Sequence, residues 1–299
     1  MNSKIVLGAG AMKAGTTFLF NILSKHPGLF LTPEKELHFL AHMYGLDYGA
    51  MSAIRKQEAL LGRDYFARPL GEVLSMDFRR ARLAAVMRGR YRRLADAQGV
   101  RDIVLWYAEK YLEPVVDWSW VEGIYQGAQP HQWLCEFSNY NAFASPAAWA
   151  DLKNNFADIK VIYIVRNPLD RLWSHIKFDR RYGPDDFDDL TVETVSKYLS
   201  DPHICAHGDY KTVLKKLYGE IGKDSVLVID FNHLTERPLQ ICSQLETFLD
   251  IGEFPANALR NLKPANVGVG RAMPPCLIEA SQDFVEEQTD FLSSLIQAV

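Results

Sequence analysis

Gly8-Ala9-Gly10-Ala11-Met12-Lys13-Ala14-Gly15-Thr16-Thr17 is the stretch on which the fold turns. Before it, Lys4-Ile5-Val6-Leu7 reads as a short buried strand. After it, Thr17 to Lys25 carries Phe18, Leu19, Ile22 and Leu23 at helical spacing. The stretch is therefore a tight loop between a strand and a helix N-terminus. Such a loop aims several backbone N–H groups and the positive end of a helix dipole at one point, and Lys13 adds a full charge there. A phosphate or sulfate is the natural occupant.

Two nucleotide-binding motifs do not match this loop. The Walker pattern requires Gly-Lys-Ser/Thr in that order, whereas Lys13 precedes Gly15 and both threonines follow it. The dinucleotide fingerprint requires a third glycine where Lys13 stands. On these residues alone, a plain Gly-rich turn joining strand to helix stays open beside an anion site.

Farther along, Lys25-His26-Pro27-Gly28 ends the first helix, and Leu29-Phe30-Leu31 reads as a short strand. Trp133 to Glu136 reads as another strand, ending in a Ser/Tyr turn. Lys160 to Val165 is apolar on both faces, as an interior strand of a parallel sheet should be, and Pro168 to Arg180 is the helix after it. Ser225 to Phe231 repeats the buried-strand theme, Thr235 to Leu249 reads as one helix, Gly252 to Pro275 as a loop, and Leu277 to Ile296 as a closing amphipathic helix. Strands alternating with helices predict one α/β domain over residues 1–299, with a doubly wound, mostly parallel sheet flanked by helices. Residues 44–130 are mostly helical in pattern and are expected to form an insertion over the mouth of a site.

Composition narrows the function classes. At 299 residues, 48% hydrophobic and 23% charged, the chain is an ordinary globular protein able to bury a large core. A net charge of −4 does not point to nucleic acid. Cys135, Cys205, Cys242 and Cys276 are far apart and read as free thiols of a reducing compartment. No apolar run approaches the roughly 20 residues that span a bilayer, and the first strand begins at once, so a cytoplasmic protein without a membrane partner is expected.

Lys13-Ala14-Gly15-Thr16-Thr17 after a strand resembles the 5′-phosphosulfate loop of sulfotransferases that use 3′-phosphoadenosine 5′-phosphosulfate (PAPS). Three further stretches carry the resemblance. In Val161-Ile-Tyr-Ile-Val-Arg166-Asn-Pro168-Leu-Asp-Arg171-Leu-Trp-Ser174, an arginine ends a strand and a serine follows eight residues later, one turn into a helix. The resemblance places Arg166 and Ser174 on the donor's 3′-phosphate. Lys35-Glu36-Leu37-His38-Phe39 is similar to the Lys-Glu-x-His-Phe stretch of heparan sulfate-type enzymes, in which the glutamate is the catalytic base. Glu36 stands in that position, and His38 would orient the acceptor or share its proton. Asn266-Val267-Gly268-Val269-Gly270-Arg271-Ala272 matches, more loosely, a loop that closes over the nucleotide, with Gly270 and Arg271 in the matching places and Val269 where a lysine often stands.

What the resemblance implies is a P-loop-like sulfotransferase fold and an enzyme, of a bacterial or other soluble type, that needs no metal and takes PAPS as co-substrate. Lys13, with Thr16 or Thr17, would stabilise the leaving phosphate. The acceptor would be a carbohydrate or another small hydroxylated molecule. Trp133 to Tyr140 only echoes a segment facing the acceptor in relatives, because Phe137 and Asn139 replace its lysine and proline. The resemblance covers about residues 4–42 and 131–180, and 264–273 weakly. A kinase with a degenerate phosphate loop, or a non-catalytic adenine-nucleotide binder, remains as the alternative.

Other features stand outside that pattern. Asp77 to Gln98 reads as a helix bearing Arg79, Arg80, Arg82, Arg88, Arg90, Arg92 and Arg93. It is either a solvated amphipathic helix or a collector of an anionic acceptor. The aromatics from Trp106 to Trp133 suit core packing, or a cleft that holds flat acceptors. His203-Ile-Cys205-Ala-His207 lacks a fourth ligand at metal spacing and reads as a loop. No strand-end aspartate or metal cluster of the kind P-loop kinases use stands out, although Asp230 does follow a strand.

Overall fold

A computed structural model describes residues 3–46, 76–91, 97–180, 190–257, 259–260 and 271–297. Its strands are β1 (Lys4–Gly8), β2 (Leu29–Leu31), β3 (Trp133–Glu136), β4 (Asp158–Val165) and β5 (Val226–Asp230). They form one five-stranded sheet in the order β2-β3-β1-β4-β5, and every pairing is parallel. From central β1 the chain winds to β2 and back to β3 on one side, then to β4 and β5 on the other. The carboxyl end of β1 lies where the winding direction reverses, which is the place where open parallel sheets bind ligands.

The strands are continuous apolar runs because helices cover both faces of the sheet. Ile5, Val6 and Leu7 of β1 and Val161 to Ile164 of β4 are buried together with Phe18, Leu19, Ile22 and Leu23 of the first helix, Thr16–Leu23. Each such side chain contributes roughly 1.5–3 kcal/mol on leaving water. A second, smaller cluster of Leu172, Trp173, Ile176, Val195, Ile204 and Leu277 joins the Pro168–Arg180 helix to the Val192–Ser200 and Pro275–Gln297 helices. At the end of β1 a side chain has no room: a Cβ on Gly8 would lie 2.3 Å from the Phe137 ring, which rests on the backbone there.

Several expectations change. The single helix expected over Thr235 to Leu249 is two helices, Phe231–Glu236 and Pro238–Leu249, with Arg237 leaving helical geometry between them. Pro238 has no N–H to give and fits the first helical position, so it starts a helix rather than lying inside one. Asp230 caps the first of the two, its carboxylate accepting from Asn232 N at 2.9 Å and His233 N at 3.0 Å. The segment expected as a loop around His203 contains a short helix, Pro202–Ala206, and His207 behind it is buried against Phe143.

The arginine-bearing helix is described over Met76–Tyr91, followed by a second helix over Ala97–Trp106, while 92–96 lie outside the described residues. Arg79 is turned inward rather than solvated, donating from Nη1 to the carbonyls of Tyr111 and Glu113, both at 2.6 Å. Arg82 reaches buried Glu34, while Arg80 stays exposed beside Asp77; the side chains of Arg88 and Arg90, and all of Arg92 and Arg93, lie outside the described residues. The aromatic run is core here: Trp106 stacks on Tyr111 at 5.7 Å, and Tyr107 and Tyr111 are fully buried. No described helix is long and apolar enough to cross a membrane.

Candidate active site

Beyond β1 the chain stays beside β4 before it turns. Ala9 N and Ala11 N donate to the carbonyls of Ile162 and Ile164, and Ile164 N donates to Gly10 O at 2.8 Å. The loop then reverses through Lys13 and Gly15, both at positive φ, and the first helix starts at Thr16. Gly15 suits this place twice over: its φ is +91°, and a Cβ would meet the Phe231 ring at 3.0 Å. The first amides of a helix have no partner within it, so Thr16 and Thr17 stand at an end that favours an anion.

Arg166 adjoins this loop from the end of β4. Its Nη1 donates to Lys13 O at 3.1 Å, and its guanidinium lies over the Phe231 ring at 4.5 Å. The Tyr210 hydroxyl holds its backbone, donating to Arg166 O at 2.8 Å and accepting from Arg166 N at 3.3 Å. Burial lowers the pKa of Arg166, but an arginine remains charged. Ser174 is half-buried on the helix that begins at Pro168, and the Lys13 ammonium lies 4.1 Å above the ring of Phe178 on that same helix. Arg271 is exposed, its carbonyl accepting from Trp173 Nε1 at 3.3 Å; Gly270 lies outside the described residues.

The third wall comes from the chain after β2. Glu36 keeps 35% of its side-chain surface exposed, enough for an acceptor to reach it. Lys35 Nζ lies 2.6 Å from Glu36 Oε1 and 3.3 Å from Thr16 Oγ1, so one ammonium joins this carboxylate to the anion loop. His38 Nε2 is 3.6 Å from Glu36 Oε2, and Asn139 Nδ2 donates to Oε1 at 3.4 Å. Burial pushes the Glu36 carboxyl up, but Lys35, His38 and Arg82 outweigh it and hold the pKa below the ordinary value. Burial lowers the His38 pKa, against the pull of Glu36. Near neutral pH the pair is thus a carboxylate beside a neutral imidazole. Tyr140, with its ring 5.1 Å from His38, has its phenol pushed up to about 12 by burial and the charge of Glu36.

Glu136, at the end of β3, organises this wall. It is fully buried, and burial raises its pKa against several hydrogen bonds. Its oxygens accept from Leu37 N at 3.2 Å, His38 N at 3.4 Å and Ser138 N at 3.1 Å, and also from Ser138 Oγ and Asn141 Nδ2. One carboxylate thereby ties the turn after β2 to the turn after β3, and Ser138 Oγ, itself bound to Glu136, accepts from His38 N at 2.9 Å, so His38 is held at φ 56° from both.

The Sulfotransferase family model matches residues 6–255, from β1 to past β5. The chain belongs to the sulfotransferase family. Among solved structures it is similar to a sulfotransferase from Alicyclobacillus acidocaldarius, with a TM-score of 0.59 at 20% identity over 99% of this chain and 97% of that one. It is also similar to the sulfotransferase domain of the Synechococcus PCC 7002 olefin synthase, with a TM-score of 0.46 at 17% identity over 95% and 94% of the two chains. No curated protein matches it.

Within this sulfotransferase fold, three separated stretches of sequence come together: loop residues Lys13 to Thr17, Arg166 at the end of β4, and Glu36 with His38. The lysine that touches Glu36 is Lys35, whereas Lys13 faces Phe178. Lys35 and Glu136 were missed as site residues. Lys35 stands next to Glu36 in sequence, and that adjacency was the available signal. Glu136 heads the stretch to Tyr140 that only echoes the segment facing the acceptor in relatives, and that echo, with a carboxylate at the end of an apolar strand, was the available signal.

Proposed function

We propose that this chain moves a sulfuryl group from PAPS to a hydroxyl of a carbohydrate or another small hydroxylated acceptor, with Glu36 as general base. The observation that carries this reading is the Lys35 bridge, which sets a reachable carboxylate within one ammonium of the anion loop. When bound, PAPS supplies an electrophilic sulfur whose bond to the bridging phosphate oxygen breaks as a bond to the acceptor oxygen forms. Glu36 takes the acceptor's proton as that oxygen attacks. Lys13, with Thr16 or Thr17 and the amide of Gly15, stabilises the charge left on the bridging oxygen, while the Ala14 amide holds the loop by donating to Ala11 O at 3.1 Å. Arg166 gives one N–H to Lys13 O and has the rest of its guanidinium for the 3′-phosphate, together with Ser174, Gly270 and Arg271. His38, neutral near pH 7, orients the acceptor. The described part of the 44–130 segment, without 47–75 and 92–96, which lie outside the described residues, covers the acceptor side, and free thiols at all four cysteines fit a cytoplasmic enzyme.

Incubation with radiolabelled PAPS and a panel of hydroxylated acceptors tests this. Transfer of label is expected. Glu36→Gln is expected to lower turnover by about 10² to 10⁴, the worth of a positioned base, while adenosine 3′,5′-bisphosphate binds almost unchanged in calorimetry. Full activity in that variant removes Glu36 as base. Label moving from ATP with magnesium, and not from PAPS, makes the chain a kinase instead.

A further inference from the structure

We propose that Lys35 couples donor binding to the freeing of the base: it holds Glu36 when the loop is empty and turns to the donor's sulfuryl oxygens when they arrive at Thr16. This rests on the reading of Glu36 as base. The geometry is that of a shared cation. Lys35 Nζ is 2.6 Å from Glu36 Oε1 and 3.3 Å from Thr16 Oγ1, and an ammonium has three N–H donors. Thr16 is the first residue of the helix whose positive end faces the loop, so an anion bound there comes within reach of Lys35 without any backbone movement. Only 16% of the Lys35 side-chain surface is exposed, so solvent screens its charge little.

Glu36 does not lose its place when Lys35 turns away. His38 Nε2 and Asn139 Nδ2 stay beside its two oxygens, and the Lys35 carbonyl remains tied to Phe137 N at 3.4 Å. What changes is charge. The groups facing Glu36 are Lys35, His38, Arg82 and Tyr140, and Lys35 is the cation in direct contact. With Lys35 on Glu36, the carboxylate is a weak base; with Lys35 on the donor, Glu36 keeps more of its basicity for the acceptor proton. The same movement brings a positive charge to the sulfuryl oxygens. An acceptor meeting the enzyme before the donor would find the base quenched.

Donor-dependent pH profiles, with Lys35→Met and Lys35→Arg, test the proposal. In the wild-type chain the acid limb of kcat, which reports the loaded enzyme, is expected at higher pH than the acid limb of kcat/KM for PAPS, which reports the free enzyme. In Lys35→Met the kcat/KM limb rises by about one pH unit or more, because an opposite charge within about 4 Å is removed, and the two limbs come together. Affinity for PAPS falls about tenfold while that for adenosine 3′,5′-bisphosphate changes far less, since only the former carries the sulfuryl oxygens. Lys35→Arg restores the limb separation. Coincident limbs in the wild-type chain overturn the coupling without recourse to any variant. So does a Lys35→Met variant that weakens both ligands equally, which would mark a purely structural lysine. A wild-type chain that transfers no sulfuryl group at any pH overturns instead the reading of the site on which this proposal stands.

Discussion

Glu136 shows how much one buried carboxylate can arrange. The amides of Leu37, His38 and Ser138 point at it, and none of them has water to fall back on. Replacing it by alanine leaves the amides of Leu37 and Ser138 unsatisfied, at about 1–3 kcal/mol each when fully buried, while His38 N keeps Ser138 Oγ at 2.9 Å. Glu136→Ala is therefore expected to lose at least about 2 kcal/mol in urea denaturation and to lower turnover as Glu36 and His38 drift. A loss below about 1 kcal/mol would mean that the two turns hold themselves. The position of Glu36 in the sequence was legible, since it sits in a motif with His38 and Phe39. That the wall behind it hangs from Glu136 was not, because the contact joins residues about a hundred positions apart.

Among the elements, β1 and the loop after it carry the strictest steric demands. Phe137 lies where a Gly8 side chain would go, and Phe137 also meets Phe20 of the first helix edge-on at 5.9 Å. Gly8→Ala is expected to destabilise the chain by about 1–3 kcal/mol through overpacking. The double variant Gly8→Ala/Phe137→Leu should recover part of this in thermal melts, and purely additive losses would show that the two sites do not interact. The five strands were legible because runs such as Val161 to Val165 suit a sheet covered on both faces. The break at Arg237 was passed over because Pro238 near a helix start reads equally well as one helix or as the boundary of two.

On the scale of the molecule, the Met76–Tyr91 helix is fastened at Glu34 to the wall that carries Glu36. This buried carboxylate accepts from Arg82 Nη2 at 2.6 Å and from the Tyr107 hydroxyl at 2.7 Å, two positions later in chain comes Glu36, and Arg79 fixes the same helix to the turn at Tyr111. Arg82→Ala leaves Glu34 with half its partners, and a charged hydrogen bond of this kind is worth about 1.5–3 kcal/mol. Hydrogen exchange is expected to quicken over Met76–Tyr91 while β1 and β4 keep their protection. Unchanged exchange in that helix would show that Arg82 does not fasten it. The arginines that read as a possible collector of anions are thus divided, with Arg79 and Arg82 committed to the protein itself.

Local sequence by itself determined the strand–loop–helix at Gly8 to Thr17, the parallel α/β class, and the family resemblance on Glu36, Arg166 and Ser174. These follow from nearest-neighbour rules: periodicity, turn chemistry and residue order within a motif. Tertiary structure alone decided what those motifs touch. The β2–β3 register sets Leu31 beside Cys135, so the turns that follow both strands emerge at the same end of the sheet and share Glu136. The loop after β1 brings Thr16 to the front of that wall, where Lys35 meets it. Contacts of this kind depend on how strands are ordered and registered, and no window of sequence contains both partners.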